Sequence, residues 1–550
     1  MDQERERWDA VVIGSGLGGL ACSAYLCAAG KRALVLEAHY VAGGNTQTFR
    51  RGIHGRKYEF DVGVHYIGEC GPEGMITRIL RGVGLAGRVN FRPLDPDGYS
   101  TLIFPDFRFR VPAGWERYRA RLLETFPDEV EPLGRVVDIL REVADTGQRL
   151  QSGEVQLHEI LPDAQTFVNW GLRPVTDLFG THGLSQQASA VLLGEQGDYA
   201  VRPSRTPTAL VAGLTDHYMR GAFYPEGGGQ VIAARLIEAI RAYGGEVRTR
   251  APVERVRIEN GRVAGVTLAK GEMIDADIVV SNADLKRTVH DLVGEQHFAA
   301  DTVERVRGFR MALPLFVVYL GLDVDLAAQG VPNTNLIKWG SYDIEGIYEQ
   351  LEGGKIPDED LVYITVATLK DPTSRRLAPI GHSNLQIMTL APREYALWNA
   401  APDAAANGLY KRDPEYRRRK EELAERLIAA AECELPGIRD HVDWKEAATP
   451  ITQERFTQST GGTSYGVEFA CDQMGPMRMG PSTEIPGLYL AGASTPSGHG
   501  IGGVLRSGVV AASAALERDL FKQAVSGEVL GDPDRLPELR DDWDPWRESH

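Results

Sequence analysis

Short apolar runs separated by a glycine-rich turn open the chain and predict a strand, a helix and a second strand. The apolar run at residues 9–13 predicts a buried strand, residues 18–29 a helix and residues 32–37 another strand. A strand, a helix and a strand in this order form a crossover unit with two parallel strands. The start of the chain therefore predicts an α/β domain of the Rossmann type.

The rest of the chain mixes helical and strand patterns without a repeat of fixed length. Helices are predicted at residues 75–81, 231–242 and 504–516, around the amphipathic positions Val136, Val137, Leu140 and Val143, and after Asp413-Pro414. Strands are predicted at residues 253–258, 263–268, 278–281, 311–322 and 487–491. Two helical and irregular blocks separate the strand-rich stretches, so we expect one domain that is interrupted twice by another.

The expected domain boundaries follow from these changes in pattern. The Rossmann-type domain comprises residues 1–90, 220–295 and 455–520. A mixed α+β domain comprises residues 91–219 and 296–454. Residues 521–550 are acidic and contain proline, and we expect them to form a loose tail.

The turn after the first strand matches the dinucleotide-binding pattern G-x-G-x-x-G. Gly14 allows the tight turn, Gly16 lets a pyrophosphate approach the backbone, and Gly19 lets the helix pack closely on the strand. Free N–H groups at the start of the helix would bind the phosphates. Glu37, at the end of the next strand, can accept hydrogen bonds from both ribose hydroxyls of an adenosine. This context makes the motif a strong indication of a bound dinucleotide.

Two further stretches satisfy the same pattern without the same context. Residues 82–87 follow a helical segment and precede no helix, so we interpret them as a helix end and a loop. Residues 498–503 open a helix after a strand, but no strand ending in an acidic residue follows them. We therefore predict a single dinucleotide-binding domain and no separate NAD(P)H domain.

The amino-acid composition mainly excludes certain classes of function. The chain has 550 residues, of which 43% are hydrophobic and 25% charged, as expected for a soluble protein with several domains. Acidic residues outnumber basic ones by 76 to 60, and the formal net charge of -16 argues against nucleic-acid binding. Five scattered cysteines and twelve histidines without ligand spacing predict a reducing, cytoplasmic environment and no metal. Neither a signal peptide nor a membrane-spanning helix is expected, while peripheral membrane contact is left open.

Several motifs, which follow one another in a fixed order along the chain, resemble those of a known family. Besides the first glycine motif and Glu37, it includes residues 43–46, 58–68, 224–228, 279–283, 488–495 and 498–503. On these residues the chain resembles the FAD-dependent superfamily of phytoene desaturases, carotenoid isomerases and retinol saturases, the last two most of all. The resemblance covers nearly the whole chain. It implies a glutathione-reductase-like flavoprotein in which the FAD-binding domain is interrupted by the substrate domain.

The resemblance also implies where FAD would bind. A second helix start near Gly502 would direct N–H groups and a positive dipole at the flavin N1–C2=O side. The full set of implied cofactor-binding residues is Gly14, Ser15, Gly16, Gly18, Gly19, Glu37, Ala38, Gly43, Gly44, Asn45, Thr46, Val253, Asn282, Gly492, Ala493, Gly500, Gly502, Gly503 and Val504.

The implied activity is oxidoreduction or isomerisation of a C=C bond in a carotenoid, retinoid, isoprenoid or fatty-acyl substrate, with hydride exchange at flavin N5. His65, Tyr66 and His499 are the candidates to line the flavin and move protons, because a histidine ordinarily titrates near neutral pH. Tyr218 and Tyr465 are weaker candidates. An apolar tunnel would be built partly from residues 315–319, and electrons would come from or go to an external partner.

Two other functions stay open at this point. One is a flavin amine oxidase-like activity, although His39 and Ala493 stand where many amine oxidases carry an arginine and an aspartate. The other is a non-catalytic chaperone for prenyl groups or lipids, similar to Rab GDP-dissociation inhibitors. The intact glycines and Glu37 argue against the chaperone, because such proteins share the fold without using flavin.

Overall fold

Two large sheets organise the computed structural model, which describes residues 6–152, 159, 164–358 and 361–550. In chain order the strands are β1 (Glu6–Ile13), β2 (Ala33–Leu36), β3 (Thr48–Ile53), β4 (Arg56–Asp61), β5 (Phe91–Pro93), β6 (Ser100–Ile103), β7 (Arg108–Val111), β8 (Phe223–Pro225), β9 (Glu246–Arg248), β10 (Val253–Glu259), β11 (Arg262–Leu268), β12 (Met273–Ser281), β13 (Leu315–Leu322), β14 (Asn335–Trp339), β15 (Leu361–Thr365), β16 (Ser383–Leu390), β17 (Val442–Ala448) and β18 (Leu488–Leu490).

Fifteen α-helices of six residues or more accompany these strands in the described part of the chain. They are α1 (Leu17–Ala28), α2 (Met75–Gly82), α3 (Trp115–Thr125), α4 (Val130–Gln151), α5 (Gln165–Trp170), α6 (Val175–His182), α7 (Gln186–Leu192), α8 (Thr208–Met219), α9 (Gln230–Ala242), α10 (Ala300–Gly308), α11 (Ile344–Glu352), α12 (Pro414–Glu432), α13 (Pro450–Thr457), α14 (Gly500–Leu516) and α15 (Leu520–Val525).

The first sheet has the parallel centre of a Rossmann-type domain. β1 lies between β2 and β12 and runs parallel to both, while β9 and β18 extend the parallel part at either end. β10 and β11 add an antiparallel pair on the first half of β12. Helices α1, α9 and α14 cover one face and form a core in which Leu20, Ile237 and Val509 are completely buried. The predicted α/β fold class is confirmed.

The second sheet belongs to a mixed α+β region. Its strand order is β17-β13-β16-β15-β14-β6-β7, and every pair is antiparallel except β14 with β6. Its strands come from residues 100–111 and 315–448, and those of the first sheet from residues 6–36, 246–281 and 488–490. Helices α3, α4, α7 and α8 form the largest hydrophobic core with this region.

The strand predicted at residues 311–322 shows why an apolar run is ambiguous. It begins at Leu315 rather than at residue 311, one residue after Pro314. Phe316 and Val318 pack into one core, and Val317 and Tyr319 into another. Because both faces of β13 are filled, residues 316–319 do not line an open tunnel, and that expectation was wrong.

The acidic segment after residue 520 is not loose, contrary to the expectation. Leu520 and Phe521 of α15 are buried against α2 and α14. Further along, the Trp543 indole N–H donates to Glu238 Oε1 at 2.6 Å. The Ser549 carbonyl accepts from the Ala42 N–H at 2.8 Å, and its Oγ accepts from the Gln230 amide at 2.9 Å. Acidic composition suggested disorder, but a few apolar and charged side chains have specific partners on the Rossmann-type domain.

No helix in the described ranges is both long and apolar enough to cross a membrane. The described part of the chain also contains no group of three or more potential ligands arranged for a metal ion. All five cysteines are unpaired, and Cys22, Cys27 and Cys70 are buried.

Asp544 anchors the tail, because both of its carboxylate oxygens accept from the Arg50 guanidinium, at 2.6 and 2.7 Å. We expect Asp544→Asn to weaken this pair and to open the tail locally, since hydrogen bonds to charged groups contribute about 1.5–3 kcal/mol. Under native conditions a protease should then cut residues 529–550 about tenfold to hundredfold faster. Asp534→Asn, an exposed change in the same tail, is the control. Equal cleavage rates for the two variants would contradict the anchoring role.

Candidate active site

The glycine turn between β1 and α1 brings backbone atoms unusually close. Gly14 has φ +89° and donates its N–H to the Leu36 carbonyl at 2.9 Å. A Cβ on Gly19 would lie 2.2 Å from the Gly14 oxygen, so a side chain is excluded there. Helix α1 begins without a side-chain cap and without an acidic residue in its first turn. Its N-terminal N–H groups therefore remain suited to an anionic ligand.

Glu37 faces this turn from the end of β2. Its Oε2 accepts from the Ser15 N–H at 2.9 Å and from the Ser15 hydroxyl at 2.6 Å, and its Oε1 accepts from the His39 N–H at 2.8 Å. The Glu37 carbonyl accepts from Ala251 N–H, which holds the start of β10 and thus Val253 nearby. Ala38 is exposed at this edge. A carboxylate has about four lone-pair positions, so Glu37 retains acceptor capacity for ribose hydroxyls.

The segment 43–46 lies directly on the glycine turn. The Gly43 N–H donates to the Ser15 carbonyl at 3.1 Å. A Cβ on Gly44 would be 2.9 Å from Gly16 Cα, so these two backbones can approach only as glycines. Thr46 Oγ1 donates back to the Gly43 carbonyl at 2.7 Å.

Asn45 connects the same loop to distant parts of the chain. Its amide accepts from Gln453 at 2.8 Å and donates to the Ser464 carbonyl at 3.2 Å.

Asn282 fills the space between the glycine turn and the end of β18. Its N–H donates to the Ile13 carbonyl at 2.9 Å, and its amide lies where a Cβ on Gly16, Gly18 or Gly492 would collide with it. The residues at 14–19, 43–46, 282 and 492 are thus brought together as predicted from the sequence. Their roles in binding a cofactor remain predictions.

A second close approach joins α1 to α14 and was missed by the sequence analysis. A Cβ on Gly508 would lie 2.1 Å from the Gly18 carbonyl oxygen. Ser507 Oγ accepts from the Gly492 N–H at 2.8 Å. The run of small residues within α14, which includes Ala511 and Ala512, was the available signal for this contact.

Helix α14 begins at Gly500, four residues before the predicted position. Its start has no side-chain cap and no acidic residue in the first turn, so Gly500, Gly502, Gly503 and Val504 form an open helix N-terminus. The preceding loop is held by the buried Arg478, which donates to the Ala493 carbonyl at 2.9 Å and to the Thr495 carbonyl at 3.2 Å. Burial lowers the pKa of Arg478 to about 9.

His499 directly precedes α14, without capping it through its side chain, and lies among aromatic rings. Its ring centre is 5.1 Å from that of Tyr465 and 6.2 Å from that of Phe469. Its Nδ1 is buried and has no hydrogen-bond partner. Desolvation, together with the Arg478 charge, lowers the pKa of His499 to about 3. The ring is therefore neutral at physiological pH, and the expectation that it titrates near neutrality was wrong.

His65 and Tyr66 lie a few residues after the end of β4. The His65 ring lies 5.8 Å from the Tyr363 ring, and desolvation lowers its pKa to about 3 as well. Tyr66 stacks on Tyr218 with ring centres 4.3 Å apart and planes at 4°. Its hydroxyl donates to Asp198 Oδ2 at 2.7 Å. The Tyr66 hydroxyl thus donates to a carboxyl group, and burial raises the pKa of Tyr66 well above its usual value.

Lys370 is a buried residue beside this site that the sequence analysis did not single out. Its Nζ donates to the His65 carbonyl, to Asn335 Oδ1 at 2.6 Å and to Thr365 Oγ1 at 2.5 Å. Burial lowers its pKa to about 7. No local motif marks this lysine, because its three acceptors come from separate segments.

The residues around the turn fit a flavin dinucleotide. Two uncapped helix N-termini, at α1 and α14, supply free N–H groups for a pyrophosphate and for a second anionic edge. Glycines stand where a Cβ would block close approach of the backbone segments. The unpaired His39 Nε2 and His499 Nδ1 leave buried polar atoms at the two ends of the site.

Comparison with known proteins agrees with this geometry. A family model described as flavin-containing amine oxidoreductase matches residues 17–516. All-trans-retinol 13,14-reductase of Macaca fascicularis is 30% identical over 542 residues, covering 94% of this chain and 87% of that protein. Chloroplastic prolycopene isomerase of Arabidopsis thaliana is 26% identical over 536 residues, covering 93% and 84%. The structure of a putrescine oxidase variant matches with a TM-score of 0.61 and 14% identity, covering 93% and 99%.

Fold, site and relatives together define an FAD-dependent oxidoreductase or isomerase with a Rossmann-type domain. The chain belongs to the family of flavin-containing amine oxidoreductases, and FAD is its cofactor. The predicted resemblance to the retinol saturase and carotenoid isomerase superfamily is confirmed.

The contact of Gly19 with Gly14 gives a direct test of the turn. We expect Gly19→Ala to displace the start of α1 and to weaken FAD binding about tenfold to hundredfold, since overpacking costs about 1–3 kcal/mol. The purified variant should contain less FAD per chain, measured by flavin absorbance. Gly180→Ala in α6 is the control, because a Cβ there meets nothing within 4 Å. A Gly19→Ala variant with full FAD content would contradict this account of the turn.

Proposed function

We propose that this protein reduces a C=C bond of a long, conjugated, hydrophobic substrate of the retinoid or carotenoid type. The observation that carries this proposal is that the two candidate histidines are uncharged and lie among aromatic side chains. Names of the relatives, which include retinol reductases and prolycopene isomerases, support the substrate class. When bound and reduced, FAD supplies a hydride at N5.

The chain's own residues provide binding and orientation. The start of α1 would hold the pyrophosphate, and Glu37 would hold the adenosine ribose. The start of α14 directs its positive dipole end at the region next to His499, where it favours negative charge. An electron-rich flavin ring would be stabilised there.

An uncharged substrate suits this environment better than an amine does. His65 and His499 are neutral, and Tyr66, Tyr363, Tyr465 and other aromatic side chains surround them. An ammonium group beside the two histidines would lose hydration, and the ring contacts of His65 and His499 are with aromatic side chains. A polyene carries no charge and gains free energy by the same burial.

Reduction of a C=C bond needs a proton as well as a hydride, and we assign the supply of this proton to Tyr66. Its hydroxyl lies among carboxyl groups, and its ring is only 8% exposed. Since the histidines have no acidic proton at neutral pH, Tyr66 is the proton donor in this proposal.

The test is whether the holoprotein, after its flavin is reduced with dithionite under anaerobic conditions, converts a polyene substrate. All-trans-retinol should yield a product that has gained two hydrogens, identified by mass spectrometry. Unchanged polyenes together with hydrogen peroxide formation from amines in air would contradict the proposal and favour amine oxidation.

Isomerisation is the second candidate function, because prolycopene isomerases match 93% of the chain. A poly-cis carotene that changes geometry at constant mass, with the flavin still reduced, would establish this function in place of reduction.

Tyr66→Phe tests the proton donor. We expect the rate of polyene reduction to fall about 10²- to 10⁴-fold, the usual effect of losing a general acid, while FAD content stays unchanged. Single-turnover product formation measures the effect. Tyr489→Phe removes a tyrosine hydroxyl from β18 and serves as the control. Equal rates for Tyr66→Phe and wild type would show that another group delivers the proton.

A further inference from the structure

Two carboxyl groups, Glu195 and Asp198, flank the Tyr66 hydroxyl. They lie at the two ends of a single 3₁₀ turn that follows α7, and the Asp198 N–H donates to the Glu195 carbonyl at 3.0 Å. The Tyr66 oxygen is 2.7 Å from Asp198 Oδ2 and 3.3 Å from Glu195 Oε1. Neither carboxyl group pairs with a lysine or arginine in the described part of the chain.

Hydrogen-bond counting assigns the protons in this group. A tyrosine hydroxyl has one hydrogen, so Tyr66 can donate to only one of the two carboxyl groups. Asp198 Oδ2 also accepts from the Tyr218 hydroxyl at 3.1 Å, and we take Asp198, which has the shorter contact with Tyr66, as the ionised acceptor. If Tyr66 donates to Asp198, its contact with Glu195 is a hydrogen bond only when Glu195 carries a proton. The arrangement is therefore Glu195–H to Tyr66, and Tyr66–H to Asp198.

We propose that Glu195 and Asp198 hold one proton between them and that this proton resupplies Tyr66 after Tyr66 protonates the substrate. This inference rests on the proposed function. In the first step the Tyr66 O–H bond breaks and a C–H bond forms on the substrate, while the hydride comes from the reduced flavin. In the second step the Glu195 O–H bond breaks and the Tyr66 O–H bond re-forms. A proton from water then returns to the pair, and no protein group changes its oxidation state.

Electrostatics favours this direction of transfer. A Tyr66 phenolate next to the ionised Asp198 would place two negative charges side by side in a site of low polarity. The phenolate therefore takes up the nearby proton of Glu195. Burial and the Asp198 charge raise the pKa of Glu195 to about 8, and burial raises the pKa of Asp198 to about 6. Glu195 is thus the more strongly proton-binding member of the pair at neutral pH.

The groups facing the pair do not supply a competing charge in direct contact. Tyr99 donates to Glu195 Oε2 at 3.2 Å, and His217 contributes a weak attraction for Asp198. The other titratable side chains around the pair are His499, whose ring contacts the Asp198 backbone, and Tyr118, Tyr199, Tyr218, Tyr348, Tyr363 and Tyr465. Burial raises the pKa of each of these tyrosines, so all of them are neutral where Glu195 titrates.

The shared proton can be measured without turnover. Infrared spectra of the oxidised holoprotein should contain a protonated-carboxyl band that disappears as the pH rises through about 8. Glu195→Gln should lack this band, and Asp198→Asn should lose it at lower pH because one negative charge is gone. Glu124→Gln changes an exposed glutamate and is the control. A band that persists unchanged in Glu195→Gln would overturn the proposal.

The role of the proton is tested by multiple-turnover reduction of all-trans-retinol with dithionite in excess, followed as a function of pH, because resupply of Tyr66 limits only the turnovers after the first. In the wild type the rate should fall as the pH rises through about 8, because the protonated form is lost. Glu195→Gln should be about tenfold to hundredfold slower and should lose this pH dependence, with the KM unchanged. FAD content and circular dichroism confirm that the variants fold.

The outcomes separate this inference from the proposed function. If Glu195→Gln loses the infrared band but keeps the wild-type rate and pH profile, the pair is structural and the proposed resupply is wrong. If the wild type shows the band and binds FAD but converts no polyene, the proposed function fails, and the role in resupply fails with it.

Discussion

Backbone segments approach each other at the start of α1 more closely than side chains would allow, and the rest of the site depends on that approach. Gly19 packs on Gly14, Gly44 on Gly16 and Gly508 on Gly18, each where a Cβ would come within 3 Å of a backbone atom. The glycines cost conformational entropy on folding, but they let the start of α1 pack against the loop at 43–46 and against the middle of α14. The same contacts fix Glu37, the loop at 43–46 and the start of α14 in their positions.

Burial then determines which groups can carry protons. His65 and His499 lie within hydrophobic surroundings and lose their charge, whereas Glu195 gains a proton under the same conditions. Lys370 is held by three oxygen acceptors next to the His65 backbone. The result is a site in which two neutral histidines lie among aromatic side chains and a pair of carboxyl groups lies next to Tyr66. In the function that we propose, this site binds an uncharged substrate with many carbon atoms, and Tyr66 protonates its double bond.

Local sequence patterns were sufficient for the Rossmann-type domain. The first strand, the glycine turn and Glu37 lie within 40 residues, so their relation is visible in the sequence. The start of α14 was placed four residues late because glycine disfavours helices by about 1 kcal/mol, and packing against α1 outweighs that preference.

Features that depend on long-range contacts were not predictable in this way. The tail looked loose because its partners, such as Arg50 and Gln230, are hundreds of residues away in the chain. The same reason hid Lys370 and the carboxyl pair, which become unusual only when the fold buries them next to Tyr66 and His65. For the two candidate histidines, the sequence did not reveal the lowered pKa, which depends on the surrounding protein.

The most direct test of this account is rapid anaerobic mixing of the reduced holoprotein with all-trans-retinol, with the flavin and retinoid absorption bands followed together. The account predicts that the oxidised flavin band returns at the same rate as the retinoid band is lost, with one retinoid consumed per flavin. A flavin that stays reduced beside an unchanged retinoid, or that is re-oxidised only when oxygen is admitted, would contradict it.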